Sequence, residues 1–282
     1  MNDKIIAYQG VEGAYSHLAC KKVFPSSISI ACYSFAQAME LVESGTADFA
    51  MIPVENSTAG RVEEIYRLIP KLSLYIVEEH FEPVNHCLLG VKGSKKENIK
   101  YVSSHTQAIA QCHENITTLN IKALAKFDTA GSAKEISEKN NLIYGAIASN
   151  LAAKLYDLEI LDDNFGDEVG NITRFIILSK DIKTPKYETN KEYITSLVFQ
   201  VRDIPAALYK VLGGFATNGV NLIKLESYSL TGSLQVSQFH IDIDAHPEEK
   251  NLRLALEELT FFAKEIKYLG IYEKYIIDNT ED

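Results

Sequence analysis

Residues 49–69 read Phe-Ala-Met-Ile-Pro-Val-Glu-Asn-Ser-Thr-Ala-Gly-Arg-Val-Glu-Glu-Ile-Tyr-Arg-Leu-Ile and combine three patterns. Residues 49–54 form an apolar run of the length of a buried strand. Residues 55–60 are polar or small. Val62, Ile65, Tyr66 and Ile69 then recur at the spacing of one helix face, which predicts a helix beginning near Arg61. A strand that leads through polar residues into a helix is the repeating unit of an α/β fold.

The same alternation extends from residue 4 to residue 180. Further apolar runs predict strands at residues 5–8, 72–77, 100–103, 121–127 and 142–146. Phe35, Met39 and Val42 mark another amphipathic helix. The units are irregular in length, and residues 80–160 form a group of their own. We therefore expect two lobes of helices packed on sheets rather than a barrel.

A different module follows this α/β region. Residues 183–193 are polar, contain a proline and have neither period, which predicts a linker. The next segments predict strand, helix, strand, strand, helix and strand at residues 194–201, 205–217, 221–227, 234–243, 248–264 and 267–272. This βαββαβ order is that of ferredoxin-like modules. We expect a larger domain at residues 1–182 and a regulatory module at residues 194–282.

Composition limits the class of partner. The chain has 282 residues, 46% of them apolar, and a net charge of −10, which indicates a soluble protein that binds a small molecule rather than nucleic acid or a membrane. The amino terminus lacks the pattern of a signal peptide and no stretch reaches membrane-spanning length, so a cytoplasmic location is expected. The cysteines show no Cys-x-x-Cys spacing, so we expect reduced, buried thiols at Cys20, Cys32, Cys87 and Cys112.

Four predicted strand-to-helix junctions carry small and polar residues. They are residues 9–16, where Ser16 can cap the helix, and residues 53–60, 103–107 and 128–132. A helix amino terminus has unpaired N–H groups and a partial positive charge, so each junction can bind an anion, although each residue type is also simply a preferred cap. Residues 55–58 supply four polar side chains where a cap needs one. This surplus predicts the wall of a ligand cleft.

Residues 171–175, Asn-Ile-Thr-Arg-Phe, run directly into the apolar residues 176–178. Thr173 and Arg174 therefore lie where a strand begins, and a hydroxyl beside a fixed cation suits a small anionic ligand. An isolated pentapeptide of this kind is more simply a strand edge with a surface charge. His105 is expected either to hydrogen-bond a ligand or to hold its loop. No P-loop, dinucleotide fingerprint, nucleophile elbow or zinc-protease motif occurs, so the predicted chemistry needs no cofactor, metal or covalent nucleophile.

Together these motifs resemble the prephenate dehydratase family, enzymes that convert prephenate to phenylpyruvate on the route to phenylalanine. The resemblance is carried by residues 10–16, 53–60, 104–108, 112, 128–131 and 171–175, and in the C-terminal module by residues 203–208, 219–222 and 225–227. It implies a two-lobed catalytic domain like a periplasmic binding protein, with lobes at residues 1–78 plus 160–182 and 79–159. It also implies that residues 194–282 are an ACT domain, which binds L-phenylalanine as a feedback inhibitor where copies pair in a homodimer or homotetramer.

The resemblance also assigns roles to residues. The family's threonine in Thr-Arg-Phe is required for activity, which carries over to Thr173, and we expect its hydroxyl to hydrogen-bond or protonate the departing hydroxyl. The other expected catalytic residues are Arg174, Phe175, Glu55, Asn56 and Ser57. The expected substrate-binding residues are Tyr15, Ser16, Thr58, Ser104, His105, Gln107, Thr129 and Asn171. The expected effector-binding residues are Asp203, Ile204, Ala206, Ala207, Leu208, Asn221, Leu222, Glu226 and Ser227.

Two roles are expected for Arg174. Tight binding of the ring carboxylate would oppose its loss as neutral carbon dioxide, so Arg174 is expected to bind the pyruvyl carboxylate or to brace its own loop. Two alternatives for the whole protein also stay open. One is an arogenate dehydratase, which performs the same chemistry on the amino-acid form of the substrate. The other is a non-catalytic amino-acid sensor.

Three stretches depart from the family pattern. The common His-Pro-Gln is His-Thr-Gln at residues 105–107, which restores a backbone donor. The common Pro-Gly-Ala-Leu is Pro-Ala-Ala-Leu at residues 205–208, and the common Glu-Ser-Arg-Pro is Glu-Ser-Tyr-Ser at residues 226–229. Both of the latter lie where the effector is expected to bind.

Overall fold

The structure is a computed structural model that describes residues 4–71, 73–229 and 237–276. Its strands are β1 (Ile5–Gln9), β2 (Ile28–Cys32), β3 (Phe49–Asn56), β4 (Gly60–Arg61), β5 (Tyr75–Pro83), β6 (Cys87–Gly90), β7 (Tyr101–His105), β8 (Lys122–Lys126), β9 (Tyr144–Ala148), β10 (Glu159–Asp162), β11 (Ile172–Ser179), β12 (Tyr193–Val201), β13 (Leu222–Ser229), β14 (Ser237–Ile243) and β15 (Ala263–Glu273). Its α-helices are α1 (Tyr15–Val23), α2 (Phe35–Glu43), α3 (Glu63–Leu68), α4 (Thr106–Ala110), α5 (His113–Thr118), α6 (Thr129–Lys139), α7 (Asn150–Leu155), α8 (Ala207–Thr217) and α9 (Lys250–Phe262).

The strands form three sheets. The first has the order β2-β1-β3-β11-β5, with β4 added to β3, and its β1–β2 and β1–β3 pairs are parallel. The second has the order β10-β6-β9-β7-β8, in which β7 is parallel to β8 and β9. The third has the order β13-β14-β12-β15 and is antiparallel. The predicted mixed α/β class is confirmed.

Contacts divide the chain into two units, Met1–Val62 with His80–Phe175, and Glu63–Glu79 with Ile176–Asp282. In the first unit the second sheet carries helices on both faces. Apolar side chains of α6 and α7 pack on one face, and those of α4 and α5 pack on the other. Each large apolar side chain that is removed from water in this way stabilises the fold by about 1.5–3 kcal/mol. The predicted domain boundaries at residues 182 and 193 stay predictions.

In the second unit the βαββαβ order that the sequence predicts is present. Helices α8 and α9 pack on one face of the third sheet through Val211, Phe215, Leu252 and Leu259. The strand order β13-β14-β12-β15 is the one that a ferredoxin-like connection of these elements produces. The predicted positions 72 and 234–236 lie outside the described residues.

Several local predictions were wrong. Gly60 and Arg61 do not open a helix but form β4, which pairs with Glu55 and Asn56, and the helix begins at Glu63. The reason is that Gly60 has a φ of +78°, a turn conformation, so the chain reverses before the helix starts. The strands β2, β6 and β10 were not predicted.

Two junction predictions also need correction. Ser16 does not cap α1, because the helix begins one residue earlier and its N-cap is Ala14, which makes no side-chain cap bond. The strand predicted at residues 100–103 extends to His105, which places Ser104 inside the sheet. The predicted buried thiols are confirmed: all four cysteines are free and buried. In the described part of the chain, no helix is both long and apolar enough to cross a membrane.

Candidate active site

The hairpin of β3 and β4 is bonded to the segment that enters β11. Ser57 makes the connection, because its backbone N–H donates to Ile172 O at 2.9 Å while its Oγ accepts from Ile172 N at 2.9 Å. The Ser57 hydroxyl in turn donates to Gly170 O at 3.3 Å. Ser57 therefore uses its hydroxyl within the protein and fixes the position from which Thr173 projects.

The side chain of Asn56 has a defined orientation. Its Oδ1 accepts from the backbone N–H groups of Thr58 and Ala59, at 3.2 and 2.9 Å. Backbone N–H groups only donate, so an oxygen and not the amide nitrogen must face them. The amide nitrogen of Asn56 consequently faces the segment 171–173, where it donates to Asn171 Oδ1 at 2.6 Å and to Thr173 Oγ1 at 3.0 Å.

Four side chains close a ring of hydrogen bonds that runs in one direction. Asn56 donates to Asn171, and Asn171 Nδ2 donates to Gln111 Oε1 at 3.3 Å. Gln111 Nε2 donates to Thr58 Oγ1, and Thr58 Oγ1 donates back to Asn56 Oδ1 at 2.9 Å. Each member both donates and accepts, and such arrangements polarise one another. We call Asn56, Asn171, Gln111 and Thr58 the amide ring.

Thr173 lies at the edge of the amide ring. Its Oγ1 accepts from Asn56, and in the described part of the chain no acceptor is recorded for its own hydroxyl hydrogen. The side chain is half-buried. A hydroxyl that is held by an incoming N–H and keeps its own hydrogen is a preorganised hydrogen-bond donor.

A histidine and a tyrosine extend the amide ring. His86 Nε2 lies 2.7 Å from Gln111 Oε1. The hydroxyl of Tyr15 lies 3.0 Å from His86 Nδ1 and 2.8 Å from Asn85 O, and it can donate its single hydrogen to either of them. Burial lowers the pKa of His86, against the smaller effect of its bond to Gln111. Burial raises the pKa of Tyr15 well above its usual value, so the phenol stays protonated.

Arg174 and Glu55 form an ion pair beside Thr173. Arg174 Nη1 lies 3.3 Å from Glu55 Oε1, and the arginine side chain is only 7% exposed against 39% for the glutamate. An arginine this deeply buried requires a counter-charge, because an unpaired buried cation is strongly unfavourable. The guanidinium therefore has a bracing contact within the protein.

The predicted site residues fall into two groups. The structure brings together Tyr15, Glu55, Asn56, Ser57, Thr58, Asn171, Thr173 and Arg174 through the contacts described above. The others have different local roles. Ser104 is fully buried and its hydroxyl donates to Ile147 O at 2.6 Å, Phe175 is buried in the core, and Ser16 is buried in α1. His105 caps α4 by accepting from Gln107 N, Gln107 is exposed, and Thr129 opens α6 behind the cap Asp128.

Two polar residues of the site were missed. Gln111 follows α4 and His86 precedes β6, so neither stands at a strand-to-helix junction where ligand groups were expected. Gln111 is adjacent to Cys112, which is predicted as a buried thiol and is part of the family resemblance. No periodicity or spacing in the sequence identifies His86.

A cavity of about 430 Å³ adjoins the amide ring. Three members of the ring line it, Thr58, Gln111 and Asn171, together with His86 and the loop that contains Asp167. The Asp167 carboxylate accepts from the backbone N–H groups at the start of α5, at 2.9 and 3.1 Å, so its charge is already compensated. Among the described residues, no group of three or more His, Cys, Asp or Glu side chains is arranged to hold a metal ion.

The predicted effector residues lie around α8 and β13. Asp203, Ile204, Asn221 and Ser227 are exposed, Leu208, Leu222 and Glu226 are half-buried, and Ala207 is buried. Ala206 is the N-cap of α8 and has a φ of +57°. The left-handed region is unfavourable for a residue with a Cβ, so Ala206 is conformationally strained.

Comparison with known proteins identifies the family. The prephenate dehydratase family profile matches residues 6–183. A bifunctional N-acyl-homoserine lactone acylase/prephenate dehydratase of Komagataeibacter europaeus is 44% identical over 270 residues, which cover 96% of each chain. Arogenate dehydratase/prephenate dehydratase 1 of Arabidopsis thaliana is 40% identical over 95% of this chain and 71% of that protein. The crystal structure of a prephenate dehydratase from Arthrobacter aurescens in complex with L-Phe superposes with a TM-score of 0.87 at 30% identity, over 96% of this chain and 90% of that chain.

The match therefore spans both the segments that hold the amide ring and the chain as a whole. This protein belongs to the prephenate dehydratase family.

Proposed function

We propose that the protein is a prephenate dehydratase, which converts prephenate to phenylpyruvate, carbon dioxide and water. The bond between the ring and its carboxylate breaks, and its electron pair enters the ring, which becomes aromatic. The carbon–oxygen bond across the ring breaks, and the oxygen leaves with its electrons as hydroxide, which is then protonated to water. Aromatisation makes the reaction strongly downhill, so the enzyme has mainly to stabilise the departing hydroxide.

The hydrogen-bond state of Thr173 is the observation that carries this proposal. Asn56 Nδ2 donates to Thr173 Oγ1 at 3.0 Å, so the hydroxyl is oriented while its own hydrogen stays available for an acceptor. A hydroxide that leaves the ring is such an acceptor. Threonine is a very weak acid, so Thr173 stabilises the leaving group by a hydrogen bond, and water supplies the proton.

The cavity beside the amide ring has room for a small molecule, although Thr173 is not one of the residues that line it. Its volume of about 430 Å³ lies within the usual range for small-molecule sites. Arg174 is proposed to act through Glu55, as a brace for β11, because its guanidinium is already paired there.

We further propose that the βαββαβ module is an ACT domain that binds L-phenylalanine as a feedback inhibitor at residues 203–208 and 221–227. The strand order of the module supports this assignment. The complex of the Arthrobacter aurescens relative with L-Phe supports the choice of effector. Pairing of the modules in a homodimer or homotetramer completes the proposal.

A substrate comparison tests the proposed reaction. The purified protein is incubated separately with prephenate, arogenate and an N-acyl-homoserine lactone, because relatives are named for all three activities. We expect ultraviolet absorbance of phenylpyruvate from prephenate, inhibited by millimolar L-phenylalanine, with a higher kcat/KM than for the other two. Formation of phenylalanine from arogenate as the faster reaction would replace the proposal by an arogenate dehydratase. Absence of turnover, with calorimetric binding of an amino acid, would support a sensor.

A further inference from the structure

The direction of every hydrogen bond in the amide ring follows from two backbone donors. Because Asn56 Oδ1 must accept from the N–H groups of Thr58 and Ala59, its nitrogen must donate to Asn171 Oδ1. The nitrogen of Asn171 then donates to Gln111, which fixes Oε1 as the atom of Gln111 that faces Asn171. The amide assignments are therefore not interchangeable along this path.

The same logic fixes one atom of His86. Gln111 Oε1 is an acceptor only, and His86 Nε2 lies 2.7 Å from it, so Nε2 must carry a hydrogen. That condition is met by the neutral tautomer with a hydrogen on Nε2 and by the imidazolium, and it is not met by the other neutral tautomer. His86 is only 5% exposed, so solvent has little access to this bond.

We infer that His86 is a positioning residue of the proposed dehydratase, whose Nε2–H holds Gln111 and, through Asn171 and Asn56, the orientation of the Thr173 hydroxyl. The inference rests on the proposed function for its kinetic consequences and on geometry alone for its structural ones. Without the Nε2 donor, only the bonds to Thr58 and Asn171 hold the Gln111 amide against rotation. If the Gln111 amide rotated, its nitrogen would face Asn171 Nδ2, so that two donors would oppose each other. The Asn56 amide, which orients Thr173, would then be held less firmly.

The groups around His86 favour positioning over proton transfer. Tyr15, on α1, is the titratable side chain that the described residues place against the imidazole, and burial keeps it protonated. Burial raises the pKa of Cys87, the next residue, to about 11 and that of Cys112, ahead of α5, to about 12, so both thiols are neutral. The other titratable groups on the elements that line the cavity are His113, Glu114, Asp167 and Glu168. Nε2 keeps its hydrogen in both of the states allowed above, so titration of His86 leaves the bond to Gln111 in place.

Two isosteric substitutions of His86 test the roles of the two imidazole nitrogens separately. The amide nitrogen of glutamine lies about where Nε2 lies, and that of asparagine about where Nδ1 lies. His86→Asn is therefore expected to lose the bond to Gln111 and to lower kcat by about 10- to 100-fold with a smaller change in KM. His86→Gln is expected to restore kcat to within about threefold of the unsubstituted protein, with the same shape of the pH profile.

Two results of these substitutions would overturn the inference. If His86→Gln loses kcat as severely as His86→Asn and removes an inflection from the pH profile, His86 is a proton donor or acceptor and the inference is overturned. If both variants lose kcat in proportion to a fall in melting temperature, His86 is only a packing residue and the inference is again overturned.

A spectroscopic measurement tests the inference without turnover. Imidazole nitrogen chemical shifts of protein labelled with ¹⁵N-histidine distinguish the two neutral tautomers and the imidazolium, and the signals of His86 are assigned by their loss in His86→Gln. We expect a hydrogen on Nε2 from pH 6 to pH 8. A hydrogen on Nδ1 alone would overturn the inference, whichever substrate the protein uses. Absence of prephenate turnover with the expected tautomer would instead refute the proposed function and leave the positioning of Gln111 intact.

Discussion

Replacing Thr173 with valine removes one hydroxyl and keeps the shape of the side chain. In the folded protein the loss is one hydrogen bond, from Asn56 Nδ2 at 3.0 Å. That nitrogen keeps Asn171 Oδ1 at 2.6 Å and Ile172 O at 3.3 Å as acceptors, so no donor is left without a partner. The cost to the free energy of unfolding is about 0.5–1.5 kcal/mol, which corresponds to a shift of the melting temperature by only a few degrees.

The expected cost to catalysis is larger. If the Thr173 hydroxyl stabilises the departing hydroxide by a hydrogen bond, its removal should lower kcat by about 10²- to 10³-fold. That loss equals about 2.7–4 kcal/mol of barrier. The kinetic penalty therefore exceeds the structural one, and the two can be separated in a single variant.

The assay follows phenylpyruvate formation from prephenate, with the melting temperature measured on the same samples. Thr173→Ser is the matched control, because it keeps the hydroxyl and loses only a methyl group. We expect it to retain kcat within about tenfold. If Thr173→Val turned over prephenate at nearly the rate of the unsubstituted protein, the hydroxyl would have no part in the mechanism and the reasoning from Asn56 would be refuted.

Four further substitutions test other parts of the structure. Arg174→Lys keeps the charge and loses the planar guanidinium, so we expect a lower melting temperature; a tenfold or larger rise in KM, about 1.4 kcal/mol, at an unchanged melting temperature would instead indicate direct substrate binding. Gly270→Ala would place a Cβ 2.0 Å from Ile76 O and should lower the free energy of unfolding by at least about 1–3 kcal/mol. Gly213→Ala, in α8, would place a Cβ with nothing within 4 Å among the described residues outside its own helix, and should raise the free energy of unfolding by about 0.5–1 kcal/mol. Equal effects of these two in urea denaturation would contradict the packing of Gly270. Ala206→Gly relieves a φ of +57° and should raise stability by up to about 1 kcal/mol in the same assay, so a decrease would argue against that strain.

The fold was predictable where local pattern and tertiary structure agree. The C-terminal module is an example, because each apolar face of its helices α8 and α9 is long enough to define a period, and the packing uses those same residues. Around residues 60–62 the local pattern and the tertiary structure disagree. The helical spacing of Val62, Ile65 and Tyr66 is real, but Gly60 takes a left-handed conformation and β4 pairs with β3 before the helix can begin. The hairpin that pairs Gly60 with Asn56 and Arg61 with Glu55 is not visible in the helical period of the residues that follow it.

The candidate site was predictable in part. Thr173 and residues 55–58 were identified because hydroxyl and amide side chains in excess of what a cap requires indicate a site. Gln111 and His86 were not identified, because each is defined by a partner more than twenty residues away in sequence. Ser104 was proposed from its position at a junction, but the strand continues past it and its hydroxyl bonds to Ile147 O. A sequence pattern indicates which residues are polar and does not indicate which hydrogen bonds they make.

The polar surplus at residues 55–58 now has a physical interpretation that differs from a simple ligand wall. Asn56, Ser57 and Thr58 direct most of their hydrogen-bonding groups inward, to the segment 170–173 and to Gln111. Side chains bonded in this way cannot turn toward a ligand without breaking the ring, so their effect on a reaction is to hold Thr173 in place before substrate arrives. Preorganised donors contribute more to catalysis than donors that must reorient during the reaction. A hydroxyl that is too weak an acid to act alone can therefore be effective because its surroundings fix the direction in which it donates.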